Sequence, residues 1–210
     1  MDLKQELQQS LKNIRDAGVK RNFDQTVELI LNLQKLEVKK TSLNTFIHLP
    51  YKIKDKKVAG FLESNSGVVD TILPSSFDQY KDKKKLKDVE KKYDFFISQG
   101  SVMPKVAATF GKVLGPAGKM PSPKLGLISN ADDKTVKEVK ERIDSSVKID
   151  LKEKSIKVPV GKESMEDEKV IENAMAVYSE IEKLLPRGKD NVKNVELKFT
   201  MTKPQKIIMK

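Results

Sequence analysis

The chain has no cysteine, one histidine and only four arginines in 210 residues. Without thiols there can be no disulfide and no thiolate metal site, so the composition predicts a cytosolic protein that carries no metal or other cofactor. No apolar run approaches the roughly 20 residues that span a bilayer, and the opening MDLKQELQQS lacks the apolar core of a signal peptide. No membrane partner is expected. Catalysis needs acid, base or nucleophile in mutual reach, and neither of two candidates supports it. His48 alternates with Phe46 in a strand-like run with no nucleophile near it in sequence, and reads as a passive strand residue. Asp132 and Asp133 resemble a metal pair, but they open a helical segment, where acids suit the dipole in any case.

Lysine is what the chain has in excess. Its 41 basic residues against 30 acidic ones leave a net charge of +11, which points to a polyanionic partner, with nucleic acid as the default. An anionic membrane surface would need a basic amphipathic helix with bulky apolar anchors, and none stands out. Only Arg15, Arg21, Arg142 and Arg187 carry the planar fork that reads base edges. Most of the charge should therefore add affinity rather than specificity. The lysine-rich stretch from 81 to 92 reads as a solvated helix.

Glycine and proline concentrate in one place, GKVLGPAGKMPSPKLG at 111–126, with four glycines and three prolines. That density predicts a shaped loop, since proline removes a backbone donor and glycine loses the most entropy when fixed. A Walker-type phosphate loop needs Gly, four residues, then Gly-Lys-Ser/Thr. Here Gly118 and Lys119 are followed by Met120, and Val113 stands where the first glycine belongs. The dinucleotide fingerprint fails as well, because Gly111, Gly115 and Gly118 are spaced four and three apart. A nucleotide-dependent enzyme using this loop is the weakest of three functional readings, and equilibrium dialysis with ATP or NAD tests it.

Along the chain, Leu3, Leu7, Leu11 and Ile14 predict a helix stopped by Gly18. FDQTVELILNL alternates Val27, Leu29, Leu31 and Leu33 with Thr26, Glu28, Ile30 and Asn32, a half-buried strand with one mostly polar face. LNTFIHLP predicts a second strand closed by Pro50. From about 57 to 143 short strands alternate with helices: VAGFLE, KKKLKDVEKKY, DFFIS, then PKVAATFGKVLG entered through Pro104, then DDKTVKEVKERI with Val136, Val139 and Ile143 on one face. Such alternation implies a parallel sheet with crossover helices. VKIDLKEKSIKVPVG predicts a hairpin around KEKS. Ser164 is expected to cap a helix with a broad apolar stripe from Val170 to Leu185. VELKFTMTKP closes as a strand, with Val195, Leu197, Phe199 and Met201 on one side and Glu196, Lys198, Thr200 and Thr202 on the other.

The predicted fold is thus a two-domain α/β protein. A discontinuous α+β domain, an antiparallel sheet with two helices, comprises 1–51 and 145–210, and a three-layer α/β domain, 52–144, is inserted by two chain crossings that can act as a hinge. Charge does not separate them: the outer segments carry net +5 and the middle net +6. Position does. Helices on one side leave the other sheet face open, presenting Thr26, Glu28, Lys198, Thr200 and Thr202 to bond 2′-hydroxyls and base edges of RNA.

Four stretches resemble the ribosomal protein L-one family in its archaeal form: KRNFDQTVEL at 20–29, FFISQGSVMPKVAATFGKVLGPAGKMPSPKLG at 95–126, VPVGKESM at 158–165 and FTMTKP at 199–204. The resemblance implies a structural constituent of the large ribosomal subunit, monomeric when free and located on cytoplasmic ribosomes. It would bind 23S-type rRNA of the mobile stalk, contact exit-site tRNA as it leaves, and repress translation of its own mRNA. By motif it implies RNA contacts from Phe23, Thr26, Glu28, Thr200 and Met201. With the flanking cations and polar face, the candidate RNA-binding set is Arg21, Phe23, Thr26, Glu28, Lys198, Thr200, Met201, Thr202 and Lys203. A second group is the inner-domain loop, with Gly111, Gly115, Gly118, Lys119, Met120, Pro121, Pro123 and Lys124. The sequence departs from the family pattern at Thr202, where glycine is usual, at Asn22, where a basic residue is frequent, and at Ala117, which replaces a common arginine. An assembly factor of the same fold is the alternative, disfavoured because such relatives usually carry long basic extensions.

Overall fold

The structure is a computed structural model that describes residues 3–17, 21–37, 44–80, 82–151 and 153–207. In chain order the elements are α1 (Leu3–Ala17), β1 (Thr26–Leu33), β2 (Asn44–His48), β3 (Val58–Phe61), β4 (Asp70–Thr71), α2 (Lys83–Lys92), β5 (Phe95–Gln99), α3 (Met103–Leu114), β6 (Leu127–Ile128), α4 (Asp133–Asp144), β7 (Ser146–Asp150), β8 (Ser155–Lys162), α5 (Asp167–Leu184), β9 (Val192–Phe199) and β10 (Gln205–Ile207). They form two compact units, Met1–Ile53 with Ser145–Lys210, and Lys54–Asp144. Gly18, Lys81 and Lys152, which figure in the predicted stop, lysine helix and hairpin turn, lie outside the described residues.

In the first unit an antiparallel sheet runs in the order β10-β9-β1-β8. Val27, Leu29, Leu31 and Leu33 of β1 meet Leu7, Leu11 and Ile14 of α1 and Val170, Ile171, Ala174 and Val177 of α5 in one core. Burying each such side chain contributes roughly 1.5–3 kcal/mol. Two expectations fail here. The predicted 147–161 hairpin does not form: β7 pairs with β2 in a separate two-stranded sheet, and β8 pairs with β1. Alternation fixes which side of a strand is apolar, not which strand lies beside it. Ser164 does not cap α5, whose N-cap is Glu166. Its amide and hydroxyl go instead to the Asp24 carboxylate, each at 3.0 Å. Gly161 permits close passage of β8 over α5, since a Cβ there would come within 2.7 Å of the Val170 side chain.

The second unit is a parallel sheet in the order β4-β3-β5-β6 with helices on both faces. Side-chain alternation divides its core. Ala59, Phe61 and Phe96 point to Leu86 of α2 and to Val106, Phe110 and Leu114 of α3, while Val58 and Ile97 point to Val136 and Ile143 of α4. The Phe61 ring lies 5.5 Å from that of Phe96 and 4.8 Å from that of Phe110. Strands β4 and β6, of two residues each, carry no pattern long enough to have been predicted.

Candidate nucleic-acid interface

The uncovered face of the four-stranded sheet is built by cross-strand rows. Lys198 and Pro159 flank Glu28; Glu196 and Lys157 flank Ile30; Asn194 and Ser155 flank Asn32. Ile30 sits on the polar face yet is only 6% exposed, with Glu196 and Lys157 opposite it on the two flanking strands. The Lys198 ammonium lies 3.9 Å from Glu28 Oε2. Glu196 Oε1 accepts from Asn32 Nδ2 at 3.4 Å and from Asn194 Nδ2 at 3.2 Å. Glu28, Asn32, Lys157, Glu196, Lys198 and Pro204 are among the residues that line a shallow hollow of about 410 Å³ here.

A register shift between β1 and β8 changes what reaches this face. Thr26 pairs with Lys162 and Val27 with Gly161, but Glu28 pairs with Pro159, so one residue bulges out. Strict alternation would put Lys162 on the core side with Val158 and Val160. The bulge turns it outward, and its Nζ donates to Thr26 Oγ1 at 3.0 Å and to the Asp24 carbonyl at 3.2 Å.

At one end of the sheet three of the four motif stretches converge. Asp24 holds Ser164, and the Gln25 carbonyl accepts the Glu163 amide at 2.8 Å. Gln25 Nε2 donates to Glu163 Oε2 at 3.1 Å, and Gln25 Oε1 accepts the Met201 amide at 3.2 Å. Arg15 of α1 completes the rim, donating to Asp167 Oδ1 (2.7 Å), the Glu163 carbonyl (2.8 Å) and the Met165 carbonyl (3.0 Å). Asp24, Gln25, Lys162, Glu163 and Arg15 were not among the predicted site residues. Gln25 lies within KRNFDQTVEL and shares the apolar parity of Val27 and Leu29, so a search of the polar strand face passes over it.

The predicted site residues fall into distinct settings. Phe23 and Met201 are 50% and 58% exposed, large apolar groups at this one end of the sheet. Both stand outside the strands: β1 begins at Thr26 and β9 ends at Phe199. The strand expected through Thr202 instead turns, closed by the Thr202 amide on the Phe199 carbonyl at 3.2 Å and by the Phe199 amide on Thr202 Oγ1 at 2.9 Å. Parity therefore stops being a guide after Phe199, and Thr200 and Thr202 are turn residues rather than members of a strand face. Thr200 Oγ1 accepts the Thr26 amide at 3.0 Å, so it braces the turn against β1. Arg21 and Lys203 are exposed and, with Gln25, Met201, Thr202 and Gln205, line a second hollow of about 290 Å³.

In the second unit the Gly/Pro segment is only partly a loop. Gly111 lies in the last turn of α3, which continues to Leu114, where one glycine costs about 1 kcal/mol and is tolerated. Gly115, Gly118, Met120, Pro121, Pro123 and Lys124 belong to the loop proper, and Pro121 is buried. Lys119 turns inward: its ammonium donates to the Glu90 and Tyr93 carbonyls at 2.6 and 3.0 Å and lies 3.3 Å from the Glu90 carboxylate. It fastens the loop to the end of α2, where a cation suits the dipole. Lys56, Lys57, Lys92 and Lys140 line a further hollow of about 430 Å³. Three of these ammonium groups are engaged, Lys56 with the Ile143 carbonyl, Lys140 with the Val68 carbonyl and Lys92 with Asp70. Burial pushes the Lys56 ammonium below the usual lysine range.

Residues 11–203 match the family model described as Ribosomal protein L1p/L10e family. The chain is 35% identical over 195 residues to large ribosomal subunit protein uL1 of Nanoarchaeum equitans, covering 88% of this chain and 91% of that one. It is 33% identical over 210 residues to the protein of the same name from Archaeoglobus fulgidus (94% and 95% covered), and 32% identical over 210 residues to that from Thermococcus kodakarensis (94% of each). With a match that runs through both compact units and relatives aligned over nearly their whole length, the chain belongs to the ribosomal protein L1p/L10e family.

Proposed function

We propose that this chain is a non-enzymatic, structural constituent of the large ribosomal subunit that docks on ribosomal RNA through the open face and rim of its four-stranded sheet. The observation that carries the reading is the meeting, at one rim, of three of the sequence stretches that resemble the family, with two exposed apolar side chains beside exposed cations. Phe23 and Met201 offer surfaces for bases, Arg21 and Lys203 offer charge to phosphates, and Glu28, Asn32 and Glu196 on the open face offer acceptors for 2′-hydroxyls and exocyclic amines. The net charge of +11 supplies the nonspecific part of the affinity.

The finer reading assigns the rim to 23S-type rRNA of the mobile stalk and to the protein's own mRNA, which would compete for one surface. The chain passes between its two units at 53–54 and 144–145, and in this reading the inner unit swings on those crossings as deacylated tRNA leaves the exit site. Quantifying the protein in mature cytoplasmic large subunits, with crosslinking and sequencing of the attached RNA, tests the proposal. One copy per subunit and crosslinks to stalk rRNA are expected. Copies confined to immature particles would favour the assembly-factor reading instead.

A further inference from the structure

Gln25 is 1% exposed, although it lies just before β1 on the rim. Its carboxamide faces two groups of fixed polarity. The Met201 amide can only donate, so the oxygen must face it, at 3.2 Å; the Glu163 carboxylate accepts, so the nitrogen must face it, at 3.1 Å. The partners thereby settle the orientation of the amide. The backbone of Gln25 adds a third bond, its carbonyl accepting the Glu163 amide at 2.8 Å, and the Glu163 carbonyl is itself held by Arg15 at 2.8 Å. Beyond the sheet ladder, the 199–202 turn is tied to Thr26 at the start of β1 by the Thr200 hydroxyl and to the residue before it by this carboxamide. Met201, 58% exposed at the tip of that turn, has its backbone fixed while its side chain stands in solvent.

We propose that Gln25 is the positioning residue that presents Met201 to RNA, acting through a relay from Arg15 and Glu163 to the Met201 amide. The inference rests on the RNA-docking reading of the rim and adds to it the residue that sets the geometry of the Met201 turn. Neither a carboxylate nor an apolar side chain can replace the amide alone. A glutamate would set two carboxylates against each other, and a leucine would leave a buried amide hydrogen without an acceptor. The charged groups around the position are Glu163 opposite it, Asp24 and Lys162 beside it, Arg15 behind Glu163, and Arg21 and Lys203 in the adjoining hollow.

Because the relay has a direction, it can be reversed. In the double variant Gln25→Glu with Glu163→Gln, the new carboxylate accepts from both the Met201 amide and the new carboxamide, and net charge is unchanged. Full-length wild type, each single variant and the double variant are titrated with a transcript of the stalk segment of large-subunit rRNA, with hydrogen exchange at the Met201 amide measured in the free proteins. Gln25→Glu is expected to weaken binding by about tenfold or more and to unprotect the Met201 amide, and the double variant to return to within about threefold of wild type with protection restored. Melting temperatures identify a variant that has lost its fold, and the double variant keeps the test decisive in that case. Wild-type-like binding by Gln25→Glu, or a double variant as weak as the single with its Met201 amide protected, overturns the inference alone. A wild type that ignores the transcript removes the docking reading on which the inference stands.

Discussion

Replacing Asn173 with leucine should unfold the first unit early while leaving the second untouched. Asn173 is 0% exposed on α5. Its Nδ2 donates to the carbonyls of Tyr51 and Val160, and its Oδ1 accepts the Tyr51 amide, each at 2.9 Å. One side chain thus pins the segment after β2 to both α5 and β8. Leucine preserves volume but strands two carbonyls and an amide, each of which costs about 1–3 kcal/mol when buried and unpaired. Partial relaxation at the surface-facing end of Tyr51 lowers the sum to about 4 kcal/mol. For a unit of about 120 residues that corresponds to a fall of about 15 °C in melting temperature. Scanning calorimetry of wild type and variant reads it directly, with the first unit's transition moving and the second's staying in place. A fall under about 3 °C, or equal movement of both transitions, would refute the reasoning that Asn173 satisfies these groups inside an independently cooperative unit.

Gly126→Ala should lower the second unit's transition, by about 1–3 kcal/mol of stability: the backbone has φ +111°, and a Cβ would meet the Phe96 carbonyl and the Phe95 ring at 3.0 Å. Circular dichroism melts check it. The Tyr93 hydroxyl, donating to Asp70 Oδ2 at 2.7 Å, is the largest cause holding the Asp70 carboxyl below its ordinary value, helped by Lys92. A folded value below the unfolded one contributes stability that is present above the unfolded carboxylate range and lost as pH falls through the folded value. Tyr93→Phe is therefore expected to raise the Asp70 titration seen by NMR and to flatten the acid side of the stability profile. For RNA, Arg21→Ala should reduce the slope of log affinity against log salt by about 1, as read by filter binding across a salt series.

The elements were legible where periodicity persists over several turns or pleats. Val27 to Leu33 and the stripe from Val170 to Ile181 declared their buried sides, and both lie in the core. The two-faced core of the parallel sheet follows from adjacent apolar residues such as Val58-Ala59 and Phe96-Ile97, which point to opposite faces by pleat geometry. Pairing was not legible, because the apolar pattern of 147–161 suits a hairpin as well as it suits two strands in separate sheets. The rim was half legible. Phe23 and Met201 were singled out through family motifs, whereas their exposure follows from chain reversals that parity cannot see. Lys162 was assigned to no site, since only the bulge beside Gly161 carries it to the polar face. Ser164 fits the signature of a helix cap, but its amide and hydroxyl donate to the Asp24 carboxylate, 140 positions away in sequence. Lys119 read as a loop cation, and the two carbonyls that claim it lie at the end of α2.

The account turns on the rim carrying the RNA. Filter binding of a stalk rRNA transcript to wild type and to Phe23→Ala with Met201→Ala tests that most directly. A base stacked on Phe23 should be worth about 1–3 kcal/mol and a base against the Met201 thioether about 0.3–1.5 kcal/mol, so the double variant is expected to bind on the order of a hundredfold more weakly with an unchanged melting temperature. Equal affinity for the two proteins would contradict the account.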